Sequence, residues 1–372
     1  MGIRIIQPMK GDDINRSHKL LDRLDKISRK SVRHFAKNFL EAETVPDFCS
    51  IEIETQNRCN NDCAFCPVNR HNDTRKPAVM DEKIFYSIID QLHDMDYHGV
   101  VCLQSNNEPL LDGRILKFAE YVHAKLPAAG KTLFTNGILL DTKKFLSLAK
   151  NLDRFVIDNY NDNFELIPSV KKVLADISSP DDFKCDILIS LRKKNQKLNT
   201  RAGTAPNRIN EENKFRPQSA CNLPFTQMIV RPDGTTAKCC NDPLTNLTTG
   251  DLSVQTLREI WRGKVYQDLR KEMFFNGRQN IDGCEFCDLL GLQYALPTSA
   301  APNEFKRLVD EIRLRKNLSA IYIFDTPRTE KLSSCSRRTA LFLTVSSTSA
   351  EPKTKNIISS RRNRPLPNGR LC

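Results

Sequence analysis

Cys59, Cys63 and Cys66 stand as C-N-N-D-C-A-F-C just after the strand-like stretch Ser50 to Thr55, and no other feature restricts the chain so strongly. Three thiolates at this spacing can ligate three irons of a [4Fe–4S] cluster and leave the fourth iron open. An open iron can bind a substrate or cofactor directly, whereas a cluster held by four thiolates is normally confined to passing electrons. The residues alone also admit a structural zinc site or unpaired thiols. Zinc would want a fourth ligand, and neither Cys49 nor His71 has the usual finger spacing.

The chain has 372 residues, of which 39% are hydrophobic, enough for two domains and a sizeable core. Its start, MGIRIIQPMKGDD, has no apolar signal core, and no run approaches the roughly 18 apolar residues of a membrane span. A cytoplasmic location is therefore expected, and there the thirteen cysteines point to metal rather than disulfides. The net charge of +12 sits at the ends. Residues 1–47 carry ten Lys/Arg against seven Asp/Glu, residues 297–372 carry fifteen against six, and the middle is neutral. A groove tracking phosphates would gather cations around the chemistry, which argues against a nucleic-acid substrate.

From Asn15 to Leu40 apolar residues recur at helical intervals, among them Val32, Phe35, Ala36 and Phe39. A helix packed on the core is expected, with a membrane-surface helix as the alternative. From residue 48 the runs SIEIET, GVVCLQS, KTLFTNG, RFVIDNY, DILISL and TQMIV alternate with helical stretches at 80–95, 113–125, 141–151 and 165–176. This is the pattern of an α/β parallel sheet with right-handed crossovers, whose chemistry gathers at the carboxyl ends of the strands.

With Phe65 before its last cysteine, the C-x3-C-x2-C run resembles the signature of the radical S-adenosylmethionine (radical SAM) superfamily. The resemblance implies a partial (β/α)6 TIM-like barrel and a [4Fe–4S] cluster whose open iron chelates SAM. One-electron cleavage of SAM would then give a 5′-deoxyadenosyl radical that abstracts hydrogen from the substrate. It also implies cofactor-binding roles. Phe65 would lie near the adenine, and Glu108, in Asn106-Asn107-Glu108-Pro109, would hold the SAM ammonium although both preceding positions are Asn where relatives often carry Gly. Asn136, in Thr135-Asn136-Gly137, would bond the ribose or serve its turn. Arg192, ending ISLR, would meet the SAM carboxylate or stand as an ordinary strand-end arginine.

A second cysteine set follows. Cys221 precedes TQMIV, the turn Pro232-Asp233-Gly234 closes a hairpin toward Cys239 and Cys240, and Cys284-Glu-Phe-Cys287 comes later. This resembles the SPASM/Twitch extension of radical SAM proteins. No further cysteine closely follows Cys287, so the shorter Twitch form is the better match, with Cys221, Cys239, Cys284 and Cys287 ligating one auxiliary [4Fe–4S] cluster. A four-cysteine zinc site is the competing reading. Cys240 is left over as a misassigned ligand, a packed thiol, or a catalytic donor of hydrogen to a substrate radical. Arg201-Ala-Gly203 resembles a short motif of Twitch relatives and would either reach the substrate or belong to a surface linker.

These readings divide the chain into a basic helical extension (1–47), a radical SAM core (48–195), a linker or lid (196–220), the auxiliary cluster domain (221–296) and a basic tail (297–372). Residues 303–318 of the tail can form a basic helix, and from about residue 326 poor order is expected, because the composition cannot bury enough to offset ordering. The expected activity is oxidation or epimerisation of a sugar- or aminocyclitol-like small molecule, with electrons from a flavodoxin- or ferredoxin-type reductant. A peptide maturase is the second reading, and a non-catalytic zinc or iron–sulfur protein the third.

Overall fold

The apolar runs become strands that are buried on both faces, as a parallel sheet requires. The computed structural model describes residues 3–6, 18–177, 183–210 and 216–290, plus two paired short strands, Ile323–Phe324 and Ala340–Leu341. The expected basic helix at 303–318 and most of the tail assigned as poorly ordered lie outside the described residues.

In chain order the elements are β1 (Ile3–Ile6), α1 (His18–Leu40), β2 (Ser50–Ile53), α2 (Glu82–Asp94), β3 (Val100–Cys102) and α3 (Ile115–Lys125). They continue with β4 (Gly130–Thr135), α4 (Thr142–Asn151), β5 (Arg154–Tyr160), α5 (Pro168–Asp176) and β6 (Asp186–Arg192). After a long linker come α6 (Leu223–Thr226), β7 (Gln227–Val230), β8 (Thr235–Ala237), β9 (Thr248–Asp251), α7 (Leu257–Arg262) and α8 (Lys264–Phe275). The helices start where the sequence supplies caps: Asp81 accepts from Lys83 N, and Asp141 from Lys144 N, each at 2.8 Å.

The sheet runs β1-β6-β5-β4-β3-β2-β7-β8-β9. All pairs from β1 to β7 are parallel, and β7-β8-β9 is antiparallel. Along β2 the side chains divide by parity: Ile51 and Ile53 join the core under the helices, while Ser50 and Glu52 face a cavity inside the curved sheet.

Two placements differ from expectation. TQMIV reads as a sixth strand in series, but β7 does not follow β6; it pairs with β2 in the register Ser50↔Gln227 to Ile53↔Val230. The ladder is extended by Cys49 N to Thr226 O at 2.8 Å and Glu54 N to Val230 O at 2.9 Å. Residues 1–47 read as a helical extension, yet Ile3–Ile6 form a strand on the outer edge of β6. Arg4 pairs with Asp186 at 2.5 Å, and Ile3 and Ile5 pack against the core. Strand pairing over such sequence distances leaves no local signal.

α1 is not a membrane-surface helix, because its apolar face is buried. Val32 and Ala36 are fully covered, and Phe39 meets Phe225 edge-on at 5.3 Å and Trp261 at 6.4 Å. The Arg270 guanidinium lies over the rings of Trp261 (4.0 Å), Tyr266 (4.7 Å) and Phe39 (4.9 Å), and donates to Pro224 O and Trp261 O. No helix among the described residues is long and apolar enough to cross a membrane. Replacing Phe39 by Ala should cost about 3–5 kcal/mol in denaturant unfolding. A loss well below about 1 kcal/mol would mean that α1 lies outside the cooperative core.

Candidate active site

Inside the curved sheet lies a cavity of about 560 Å³. The loop after β2 brings Cys59, Cys63 and Cys66 to its wall. Within that loop Cys66 N donates to Cys63 O at 3.1 Å and Asn69 Nδ2 to Cys63 O at 2.9 Å, and Ala64 N ties it to Lys194 O, just after β6, at 2.9 Å. Burial pushes the Cys59 thiol up to about 12, with Glu108 and Cys66 adding to the rise. Burial likewise raises Cys63 and Cys66. Desolvated thiols of this kind need a metal's positive charge to ionise. Asn61 N points at Cys59 Sγ at 3.4 Å, and Asn136 Nδ2 stands 3.9 Å from the same sulfur. Such N–H donors stabilise cluster thiolates, so the donor set fits an iron–sulfur cluster. Among the described residues no three His, Cys, Asp or Glu side chains close on a single-ion site; the fit to a cluster rests on the shared wall, the burial and these donors.

Glu108 and the turn after β4 form one unit. The buried Glu108 carboxylate accepts from Leu110 N (3.0 Å) and Thr135 Oγ1 (2.6 Å) through one oxygen, and from Asn136 N (2.8 Å) through the other. Burial raises its pKa to about 7 against the pull of these bonds. Asn136 in turn donates to Asn60 Oδ1 at 2.8 Å and accepts from Ile138 N at 2.9 Å, so it serves the turn while facing the cysteine loop. Gly137 has φ +74°, and a Cβ there would lie 2.9 Å from Ile157 and Val170, so only glycine fits. Opposite, Phe65 packs against Tyr160 with centroids 5.9 Å apart, and Arg192 lies over Tyr160 and 3.3 Å from Asp158. Burial pulls the Arg192 guanidinium down, but Asp158 and Tyr160 outweigh it and hold it charged.

Two cavity-lining residues, Glu52 and Asn106, and two behind them, Gln227 and Asn241, were not assigned site roles from sequence, and with Arg201 they form a hydrogen-bonded chain. Gln227 Nε2 donates to Glu52 Oε1 at 2.9 Å, and Gln227 Oε1 accepts from Cys240 N at 3.0 Å. Asn106 Nδ2 donates to Cys240 O at 3.1 Å, and Arg201 reaches both Asn106 Oδ1 and Asn241 Oδ1. Cys240 lines the cavity, and burial, with Glu52 nearby, holds its sulfur as a thiol. Burial also raises Glu52 to about 7. Below this layer, the fully buried Glu54 meets Arg75 (3.2 Å) and Arg231 (2.9 Å) and accepts from Asn106 N at 3.1 Å. The signal for Glu52 and Glu54 is their alternation on β2; their partners lie too far along the chain to be read.

The second cysteine set gathers beside this wall. The hairpin forms as expected, with Ile229 opposite Ala237 and Gly234 at φ +85°. Burial pushes Cys239 well up, assisted by Cys240, Cys284, Cys221 and Cys287. Burial takes Cys284 to about 12, with Cys287 and Cys221 adding and Lys238 and Arg278 opposing. The buried Arg278 is lowered by burial, but Cys221, Cys287 and Cys284 more than compensate. Sulfurs that feel one another's charge, with the buried cations Arg278 and Lys238 beside them, fit an anionic cluster.

Residues 53–176 match the radical SAM superfamily, and residues 221–288 match SPASM, an iron-sulfur cluster-binding domain. The chain is a radical SAM enzyme. Its two domains bring a SAM-binding [4Fe–4S] cluster and an auxiliary cluster. The chain is 23% identical over 247 residues to S-adenosyl-L-methionine-dependent 2-deoxy-scyllo-inosamine dehydrogenase of Niallia circulans, covering 66% of this chain and 95% of that protein. The crystal structure of BtrN in complex with AdoMet and 2-DOIA is similar in fold, with a TM-score of 0.56 at 20% identity over 66% of this chain and 94% of that one. The parallel α/β sheet is the one expected from the strand–helix alternation, and it is consistent with the partial barrel that the resemblance implies.

The buried charges are testable in the apoprotein. Glu54→Gln leaves the buried Arg231 without its counter-charge and Arg75 with Asp73 alone, and should cost about 3–5 kcal/mol in denaturant melts. The Glu52 proton is held more tightly in the folded protein than in the unfolded chain, because its pKa rises from the ordinary 4.5 to about 7. Its contribution is therefore complete below the unfolded value and is lost as pH rises through the folded one. Glu52→Gln should gain stability over the parent as pH rises from 4 to 8, by on the order of 3 kcal/mol in all. A pH-independent difference between the two proteins would refute the shift.

Proposed function

We propose that this radical SAM enzyme dehydrogenates a hydroxyl-bearing carbon of an aminocyclitol- or amino-sugar-like small molecule. One observation carries the reading: the cavity that receives Cys59, Cys63 and Cys66 is also walled by Glu52, Arg201 and Cys240, with the second sulfur set next to Cys240. Carboxylate, guanidinium and amide groups suit a compact polyhydroxylated amine better than an apolar ligand. The Niallia circulans relative, named for the same chemistry on 2-deoxy-scyllo-inosamine, supports this class.

A cluster at Cys59, Cys63 and Cys66 would supply the electron that cleaves SAM, yielding the 5′-deoxyadenosyl radical that takes hydrogen from the substrate carbon. The protein's part is to bind, orient and exclude water. Phe65 offers a face to the adenine, Asn136 a hydrogen bond to the ribose, and Arg192 a fork to the SAM carboxylate. Glu108 already accepts three hydrogen bonds, and its remaining lone pair suits the SAM ammonium, whose charge would return it to the carboxylate form. Cys221, Cys239, Cys284 and Cys287 would hold the auxiliary cluster, which would supply an acceptor for the one electron that the substrate radical must lose. The hydroxyl proton leaves to Glu52, whose pKa near 7 suits proton transfer at neutral pH. The electrons enter from a flavodoxin- or ferredoxin-type protein, in the cytoplasm, where the free thiols stay reduced. A second reading, epimerisation, is favoured by the neutral Cys240 thiol on the wall, since an S–H there can return a hydrogen atom.

After anaerobic reconstitution the protein should hold about eight irons and form 5′-deoxyadenosine with dithionite and SAM. Cys59→Ala should abolish that product. Cys284→Ala should keep SAM cleavage but lose the carbonyl product from 2-deoxy-scyllo-inosamine. Cys240→Ala should leave the carbonyl product intact; an epimer formed by the parent and lost in Cys240→Ala would favour the second reading.

A further inference from the structure

The linker after β6 carries an unusual backbone. Arg201 and Ala202 have φ of 49° and 53°, and Gly203 has 86°, three left-handed residues in succession. L side chains resist this conformation, so it persists only where the surroundings hold it. The surroundings here belong to the auxiliary cysteine turn. Asp288, immediately after Cys287, accepts from Thr200 N through Oδ1 at 2.7 Å, and its Oδ2 pairs with Arg208. The Thr200 hydroxyl donates to Phe286 O at 2.7 Å and accepts from Asp288 N at 3.2 Å. Arg208 also donates to Leu198 O at 2.6 Å, closing the loop's base. Gly203 lies under Phe286, where a Cβ would stand 2.7 Å from that side chain. Thr200 and Arg208 are 1% and 4% exposed, so these bonds are shielded from water. At the other end the Arg201 side chain, itself lining the cavity, reaches Asn106 on the cavity wall and Asn241 behind it.

We infer that Asp288 and Thr200 are positioning residues: they clamp the 199–208 loop to the Cys284–Asp288 turn and thereby hold Arg201 in the substrate cavity. Closing the four-sulfur site and seating the cavity's guanidinium are then one structural event, and the auxiliary site organises substrate binding as well as accepting an electron. The inference takes its view of the cavity as the substrate's place from the proposed function.

The test uses the full chain with both clusters reconstituted. Thr200→Val keeps the shape and removes the hydroxyl, leaving Asp288 N without that acceptor and Phe286 O with Arg216 as its donor, while Thr200→Ser restores it. Amide hydrogen exchange of residues 199–205 should accelerate about tenfold or more in Thr200→Val and Asp288→Asn and return to the parent rate in Thr200→Ser. Iron content and substrate-free 5′-deoxyadenosine formation should stay unchanged. With 2-deoxy-scyllo-inosamine as the probe, KM should rise about tenfold with kcat little altered, the signature of lost ground-state binding. Parent-like exchange in Thr200→Val would overturn the clamp, as would faster exchange that Thr200→Ser fails to rescue. Exchange that follows the expected pattern in a protein inert toward the probe would uphold the clamp and count against the proposed substrate instead.

Discussion

Glu54 carries a full negative charge into a place with no water, and much of the architecture is arranged around that cost. Its two oxygens face Arg75, from the loop that follows the first cysteines, and Arg231, from the hairpin of the second set. Arg75 also donates to Asn57 O and Asn106 O, and Arg231 pairs with the backbone of Asp242. One carboxylate thus joins the loops of both halves. A buried ion of this kind is stable only if opposite charges and hydrogen bonds surround it, so the loops that supply those partners must close together.

The sulfur sites follow the opposite logic. Every thiol with a resolved shift is displaced upward by burial, so the protein without metal holds neutral S–H groups in a desolvated place. Assembly must expel those protons, and the gain on binding metal includes the relief of that mismatch. Arg278 and Lys238, buried near the second set, are in place for the charge that assembly creates.

What could be read in advance was local. The spacing of Cys59, Cys63 and Cys66, the alternation of β-branched runs with helical stretches, and the Pro-Asp-Gly turn before Cys239 each carry their meaning within a few residues. Their structural counterparts appear where spacing and periodicity put them. The failures were matters of distance. β1 is four residues whose partner strand lies more than 180 positions away, and β7 returns to β2 across the whole core. Glu52 meets Gln227 across 175 residues and Glu54 meets Arg231 across 177, and no periodicity encodes such pairs. Arg201 was visible only as part of a short motif; its left-handed backbone and its anchorage beside Cys287 belong to tertiary structure.

β2 feeds the loop of the first three cysteines, and its ladder partner β7 begins the hairpin that ends at Cys239. Neighbouring strands in a ladder stand about 4.8 Å apart and cannot slide without breaking every bond between them. The two metal-binding regions are therefore mounted on a single ruler rather than on separate bodies joined by a hinge. Electron exchange between them would proceed over a gap fixed by the ladder rather than set by the motion of a hinge.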